Sequence, residues 1–141
     1  MEKITYRKLR RYKYQIMEPF QYQTGLVGYG DINTKDDWVV LDNKGVLKTK
    51  KGYTWDGASG PTIDTKNFMR GALVHDALYQ LMRENLLEMK HRQYADQLLR
   101  EICQRDGMSR FRSWYVYIAV RSWFGKKAAQ QRPVQPPMRA P

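Results

Sequence analysis

The hydrophobic period changes once along this chain, near residue 64, and that switch constrains the fold more than any other feature. Before it, apolar residues alternate with polar ones, the period of a strand with one buried face. Tyr12, Tyr14 and Ile16 alternate in this way, and Pro19 closes the run. Trp38-Val39-Val40-Leu41 and Val46-Leu47-Lys48-Thr49 flank Asp42-Asn43-Lys44-Gly45, which reads as a hairpin whose Asn and Gly suit positive φ. Tyr53-Thr54-Trp55 reads as a further strand, leading into the loop Asp56-Gly57-Ala58-Ser59-Gly60-Pro61.

After residue 64 the period is helical. Asp64 or Thr65 can cap a first helix running to about Arg83. Its stripes are Phe68, Ala72, His75, Tyr79, Met82 and Met69, Leu73, Asp76, Gln80, with apolar residues filling much of the rest. A helix apolar nearly all round is a central one. A second helix is expected from about Leu87 to Arg105, burying Ala95, Leu98, Leu99 and Ile102, with Gly107 as its stop. Ser109 can cap a third, running through Phe124. That helix is expected to bury Trp114, Tyr115, Ile118 and Ser122 on one side, and Val116, Val120, Trp123 and Phe124 on others. The fold class is therefore α+β, a small N-terminal antiparallel sheet packed on three C-terminal helices.

Charge divides the chain differently. Of a net charge of +11, residues 1–13 carry +5 and residues 126–141 carry +4. The organisation is then a basic segment 1–13, one α+β domain 14–125 and a basic tail 126–141. The tail is rich in Gln and Pro, cannot build a core, and is expected to be disordered unless a partner orders it. Arg10, Arg11, Lys126, Lys127, Arg132 and Arg139 are the candidate interaction residues. Basic ends suit solvation or a polyanion such as nucleic acid, anionic lipid or an acidic protein surface. Nucleic acid would be held by the ends, since the near-neutral middle lacks a basic helix face. The third helix, with its aromatic residues and Arg110, Arg112 and Arg121, could equally lie on a membrane or partner, or pack as core.

Several classes are excluded or disfavoured. Cys103 is alone, so no internal disulfide forms, and it reads as a small packed residue. There is no apolar signal segment and no run of about 18–20 apolar residues, so neither export by a signal peptide nor a membrane span is expected. There is no Walker loop, and Gly25, Gly28 and Gly30 do not make a dinucleotide fingerprint.

Chemistry concentrates in two polar clusters, the 56–61 loop and His75-Asp76 within Leu73–Tyr79. Polar groups in an apolar helix are costly unless paired. One reading is a divalent-metal site of Asp56, His75, Asp76 and Asp96, with metal-bound water as nucleophile and a carboxylate as base. Another makes Ser59, His75 and Asp96 nucleophile, base and orienter, with Asp76 beside them, although the loop lacks the Gly-x-Ser-x-Gly elbow. The third is a structural latch, Asp76 accepting from loop amides and His75 donating to a carbonyl. Arg92 and Asp96, four apart, make either a surface pair or, if Asp96 faces the first helix, an orienter for His75.

The residues resemble a family found in tailed bacteriophages and prophages and known as a domain of unknown function. The resemblance runs over about residues 50–125 through Gly52-Tyr53-x-x-Asp56-Gly57-Ala58-Ser59-x-Pro61, Ala72-Leu73-x-His75-Asp76-x-Leu78-Tyr79, Arg92-x-x-x-Asp96 and Ala119-Val120-Arg121-x-x-Phe124-Gly125. It implies a phage origin and a small α+β domain, and it carries over no catalytic residues. Two functions follow as expectations. One is a phage structural or interaction protein, associated with the virion or its assembly, binding other phage proteins through its basic and aromatic ends. The other is a metal-dependent hydrolase.

Overall fold

A computed structural model of the chain describes residues 3–10, 13–56 and 65–122, apart from the side chains of Arg10 and Asp56. Seven short strands come first: β1 Tyr6–Arg10, β2 Lys13–Ile16, β3 Phe20–Gln23, β4 Ile32–Asn33, β5 Val39–Leu41, β6 Val46–Thr49 and β7 Thr54–Asp56. Three helices follow: α1 Lys66–Arg83, α2 Arg92–Arg105 and α3 Arg110–Arg121. The α+β class is as the sequence pattern indicates. The strands, however, form two antiparallel sheets rather than one small one, ordered β1-β2-β7 and β3-β6-β5-β4.

The break between the sheets falls at Pro19, which has no N–H to give a ladder. In β2, Tyr14 and Ile16 are buried while Lys13 and Gln15 are partly exposed, the two-residue alternation of a half-buried strand. Tyr14 pairs with Trp55 across β2–β7, and Tyr6 joins them edge-on. The hairpin β5–β6 forms where the pattern places it, with Leu41 opposite Leu47. Its turn is held by the Asp42 carboxylate, which accepts from the Lys44 and Val46 amides at 2.9 and 3.0 Å. Gly45 alone takes positive φ there, at +86°, and Asn43 does not.

The α1 helix is buried on nearly every side, from Phe68 to Met82. Thr65 stands at its N-cap, but its hydroxyl donates to the Asn67 side chain at 2.5 Å instead of accepting a backbone N–H. The α2 helix begins at Arg92, later than expected. Asn85 turns the chain at φ +63°, Leu86 and Leu87 both donate back to the Leu81 carbonyl, and a short 3-10 turn over Met89–His91 follows. Leu87 is core without being helical. α1 and α2 pack closely at Gly71, where an added Cβ would lie 3.0 Å from both Cys103 Sγ and a Leu99 methyl. Gly107, at φ +102°, ends the α2 turn, with the Met108 amide donating to the Cys103 carbonyl.

Ser109 caps α3, accepting from the Arg112 amide at 3.2 Å, as its position implies. The burial expected on this helix holds for Val116 and fails for Trp114, Tyr115, Ile118 and Ser122. Ser113 and Val116 face the core, whereas Trp114, Tyr115, Ile118 and Ser122 are exposed. The described helix closes at Arg121, and Trp123 and Phe124 lie outside the described residues.

One core runs through both halves, from Ile16, Val39, Leu41, Leu47 and Trp55 to Leu73, Leu78, Leu99 and Ile102. Sheet meets helix at specific polar contacts as well. The Tyr53 hydroxyl donates to Gln80 Oε1 at 2.8 Å. Arg70 makes a two-pronged bond to Asp106 at 2.9 and 3.0 Å and lies over the Tyr22 ring. Among the described residues no helix is long and apolar enough to cross a membrane.

Candidate functional site

Asp96 is the centre of the polar cluster. It is fully buried on α2, yet its carboxylate accepts from three side chains on two other helices. His75 Nε2 and the Tyr79 hydroxyl, one turn apart on α1, reach Oδ1 at 2.7 and 2.5 Å. Arg121, at the end of α3, reaches Oδ2 at 2.9 Å. Arg92, one turn before Asp96, is buried as well. Its Nε donates to the Tyr79 oxygen at 3.3 Å and its Nη2 to the carbonyls of Val120 and Ser122 at 2.8 and 3.2 Å.

The helical period explains this convergence. Residues four apart lie on one face, so His75/Tyr79 and Arg92/Asp96 each present a polar pair to the same junction. Arg92 satisfies end carbonyls of α3 and lies where the helix dipole favours a cation. The Tyr79 phenol is pushed far above its ordinary pKa, first by burial and then by the Asp96 carboxylate. The hydroxyl therefore stays protonated and donating. The carboxylate's acceptor role assigns the Nε2–H tautomer to His75. Burial likewise pushes the Cys103 thiol up to about 12, which fits a packed residue and not a nucleophile.

His75 and Asp96 thus come together, and the orienter alternative for Asp96 describes them better than a surface pair with Arg92. The described partner of His75 is a carboxylate, and the junction around Asp96 joins three helices; the 57–60 loop, whose amides were expected to meet Asp76, lies outside the described residues. Asp76 is half-buried on the neighbouring face of α1, about 100° away. Ser59 lies outside the described residues, as does the Asp56 side chain. So do Arg11, Lys126, Lys127, Arg132 and Arg139, and the side chain of Arg10. Among the described residues no three His, Cys, Asp or Glu side chains stand together as a metal site would need. A cation at Asp96 would also have to displace or adjoin the Arg121 guanidinium.

Tyr79, Arg92 and Arg121 were not among the sequence-derived site residues, although each falls in one of the quoted motifs. The signal was the i, i+4 spacing from His75 to Tyr79 and from Arg92 to Asp96, together with an arginine near the end of the third helix.

Two antiparallel sheets on a three-helix layer pinned by one buried carboxylate define a small α+β domain with a polar helix junction. The chain belongs to the family described as protein of unknown function (DUF1353), whose model matches residues 32–120. The match takes in β4 to β6, upstream of the motifs from residue 50, and leaves β1 to β3 outside. No curated protein and no solved structure matches the chain.

Proposed function

We propose that this protein is a bacteriophage structural or interaction protein, associated with the virion or its assembly in the host cytoplasm, and that the polar cluster is its latch. The observation that carries the reading is Asp96. A carboxylate with no exposure, saturated by Tyr79, His75 and Arg121, is placed to hold three helices together and poorly placed to meet a substrate. The phage assignment rests on the four motifs that resemble the phage and prophage family. Partner proteins are met through the basic ends, Arg10, Arg11, Lys126, Lys127, Arg132 and Arg139, and through aromatic surface; nucleic acid is a weaker candidate for the same charges.

The test is co-sedimentation of the tagged chain with particles and assembly intermediates from a producing culture. The full chain is expected in those fractions, and a chain ending at residue 125 is expected to be lost from them while remaining folded. A full chain absent from every particle fraction would overturn the assignment, and a truncated chain incorporated normally would remove the tail's role.

One observation favours the second reading, a metal-dependent hydrolase of Asp56, His75, Asp76 and Asp96. The His75 side chain, 12% exposed, is the member of the pair that reaches the surface, and Asp96 orients it as a second carboxylate orients a catalytic imidazole. Elemental analysis of the purified protein separates the two. The latch expects no stoichiometric divalent metal and a destabilised His75→Ala variant. Bound metal that His75→Ala loses, with the fold intact, would establish the hydrolase instead.

A further inference from the structure

The side of α3 turned away from the core is more apolar than the side turned toward it. Phe111 is 76% exposed, and Trp114, Tyr115 and Ile118 are between 41% and 47% exposed. Their spacing is i, i+3, i+4, i+7, which places all four on one stripe along a helix about 18 Å long. Ser113, Val116 and Val120, the residues turned inward, occupy the opposite side. Arg110 borders the stripe on one flank and Arg112 lies beyond the other, and α3 contains no acidic residue. The helix is not free to roll its stripe inward, because Arg92 holds its end carbonyls and Arg121 is bonded to Asp96.

We propose that α3 docks through Phe111, Trp114, Tyr115 and Ile118 into an apolar groove rimmed by acidic side chains on a partner protein. The inference rests on the reading as an interaction protein and names its contact surface. The i, i+3, i+4, i+7 anchors are those of a helix laid into a groove. Trp, Tyr and Arg are also the residues that dominate the energy of protein contacts.

Charge argues against the other occupants. A second copy would bring another α3 that carries arginine and no acidic residue, so nothing on the facing helix would offset Arg110. A helix lying on an anionic membrane carries many Lys or Arg on its polar face, each adding about 1 kcal/mol. Here the opposite face is core, and Arg121 is bonded internally to Asp96. An acidic groove rim matches what remains.

The experiment uses the full chain with a photo-reactive benzoylphenylalanine at position 118, and at exposed position 35 as control, in a culture producing the particles. The cross-linked protein is identified, purified and titrated against wild type and against the double variant Phe111→Glu, Ile118→Glu. Position 118 is expected to capture one protein saturably and position 35 not to. The double variant is expected to bind that protein at least about tenfold more weakly with its thermal midpoint unchanged. Arg110→Glu is expected to weaken binding and flatten its salt dependence.

The proposal is overturned by undiminished binding of the double variant, by no capture at position 118, or by capture of a second copy of the chain. It is also overturned if stripe-dependent binding is found to phosphatidylglycerol vesicles and not to the captured protein. Should the double variant still co-sediment with particles, this surface fails and the interaction reading stands. Should the wild-type chain never co-sediment, that reading itself fails.

Discussion

At the scale of single residues the protein turns on Asp96. A fully buried carboxylate persists because three donors replace the water it lost, and removing it would strand an arginine, a phenol and an imidazole together. Asp96→Ala is expected to lower the unfolding free energy by about 3–5 kcal/mol in chemical denaturation, and Asp96→Asn by about 1–3, since the amide keeps one acceptor. An alanine variant of wild-type stability would refute the latch. Tyr79 gives the same junction a pH signature. Its phenol is raised above the unfolded value of about 10, so its contribution is complete below that pH and is lost as pH rises beyond it. Tyr94, also raised by burial, acts in the same direction. Tyr79→Phe should flatten the alkaline limb of a stability-against-pH curve, and a limb of unchanged slope would count against this account. Of this site, His75 and Asp96 were legible because polar residues interrupting apolar helices draw notice. Tyr79 was not, since its ring fits a core stripe and only its oxygen makes it part of the cluster.

At the scale of elements, local chemistry announced where most helices start and stop but not which way they face. Ser109 and Gly107 punctuate the chain through their own backbone demands, and both act where the sequence places them. Ser109→Ala should cost about 1 kcal/mol, read as a lower thermal midpoint without loss of fold. The start of α2 was misplaced because Leu87 supports a helical pattern while sitting in the core from a turn. Trp114, Tyr115 and Ile118 turn outward, against expectation, for a related reason: the larger apolar residues of α3 form one stripe, and periodicity does not say whether a stripe meets core or solvent. Ser113, small and bonded to Gln104 at 2.9 Å, lies on the face that meets α2. Close approach also governs α1 against α2. Gly71→Val is expected to destabilise by about 1–3 kcal/mol, because the Leu99 carbonyl, 3.2 Å from the added carbon, is backbone and yields poorly. A valine variant as stable as wild type would show that the helices separate freely.

At the scale of the whole molecule, sheets and helices are joined by side chains distant in sequence. Tyr53 meets Gln80, Arg70 joins Asp106 under Tyr22, Tyr94 donates to the Thr24 carbonyl, and Tyr29 stacks edge-on against His91 at 4.6 Å. Burial, with Lys90 adding to it, holds the His91 pKa below its ordinary value. The unfolded chain therefore takes up a proton at higher pH than the folded one does. Stability should fall as pH drops below about 6.5 and level off once the folded imidazole is also charged. His91→Gln should remove that part of the acid dependence, measured as the thermal midpoint between pH 7 and 5. The α+β class, the order of strands before helices, the β5–β6 hairpin and the Ser109 cap are all carried by neighbours a few residues apart, so the linear pattern sufficed for them. The division into two sheets, the convergence of Tyr79, Arg92 and Arg121 on Asp96 and the outward turn of the α3 aromatic stripe depend on contacts between elements, such as Lys13 paired with Asp56 and Arg121 bonded to Asp96. No local period encodes such contacts, and they form only once the three helices pack.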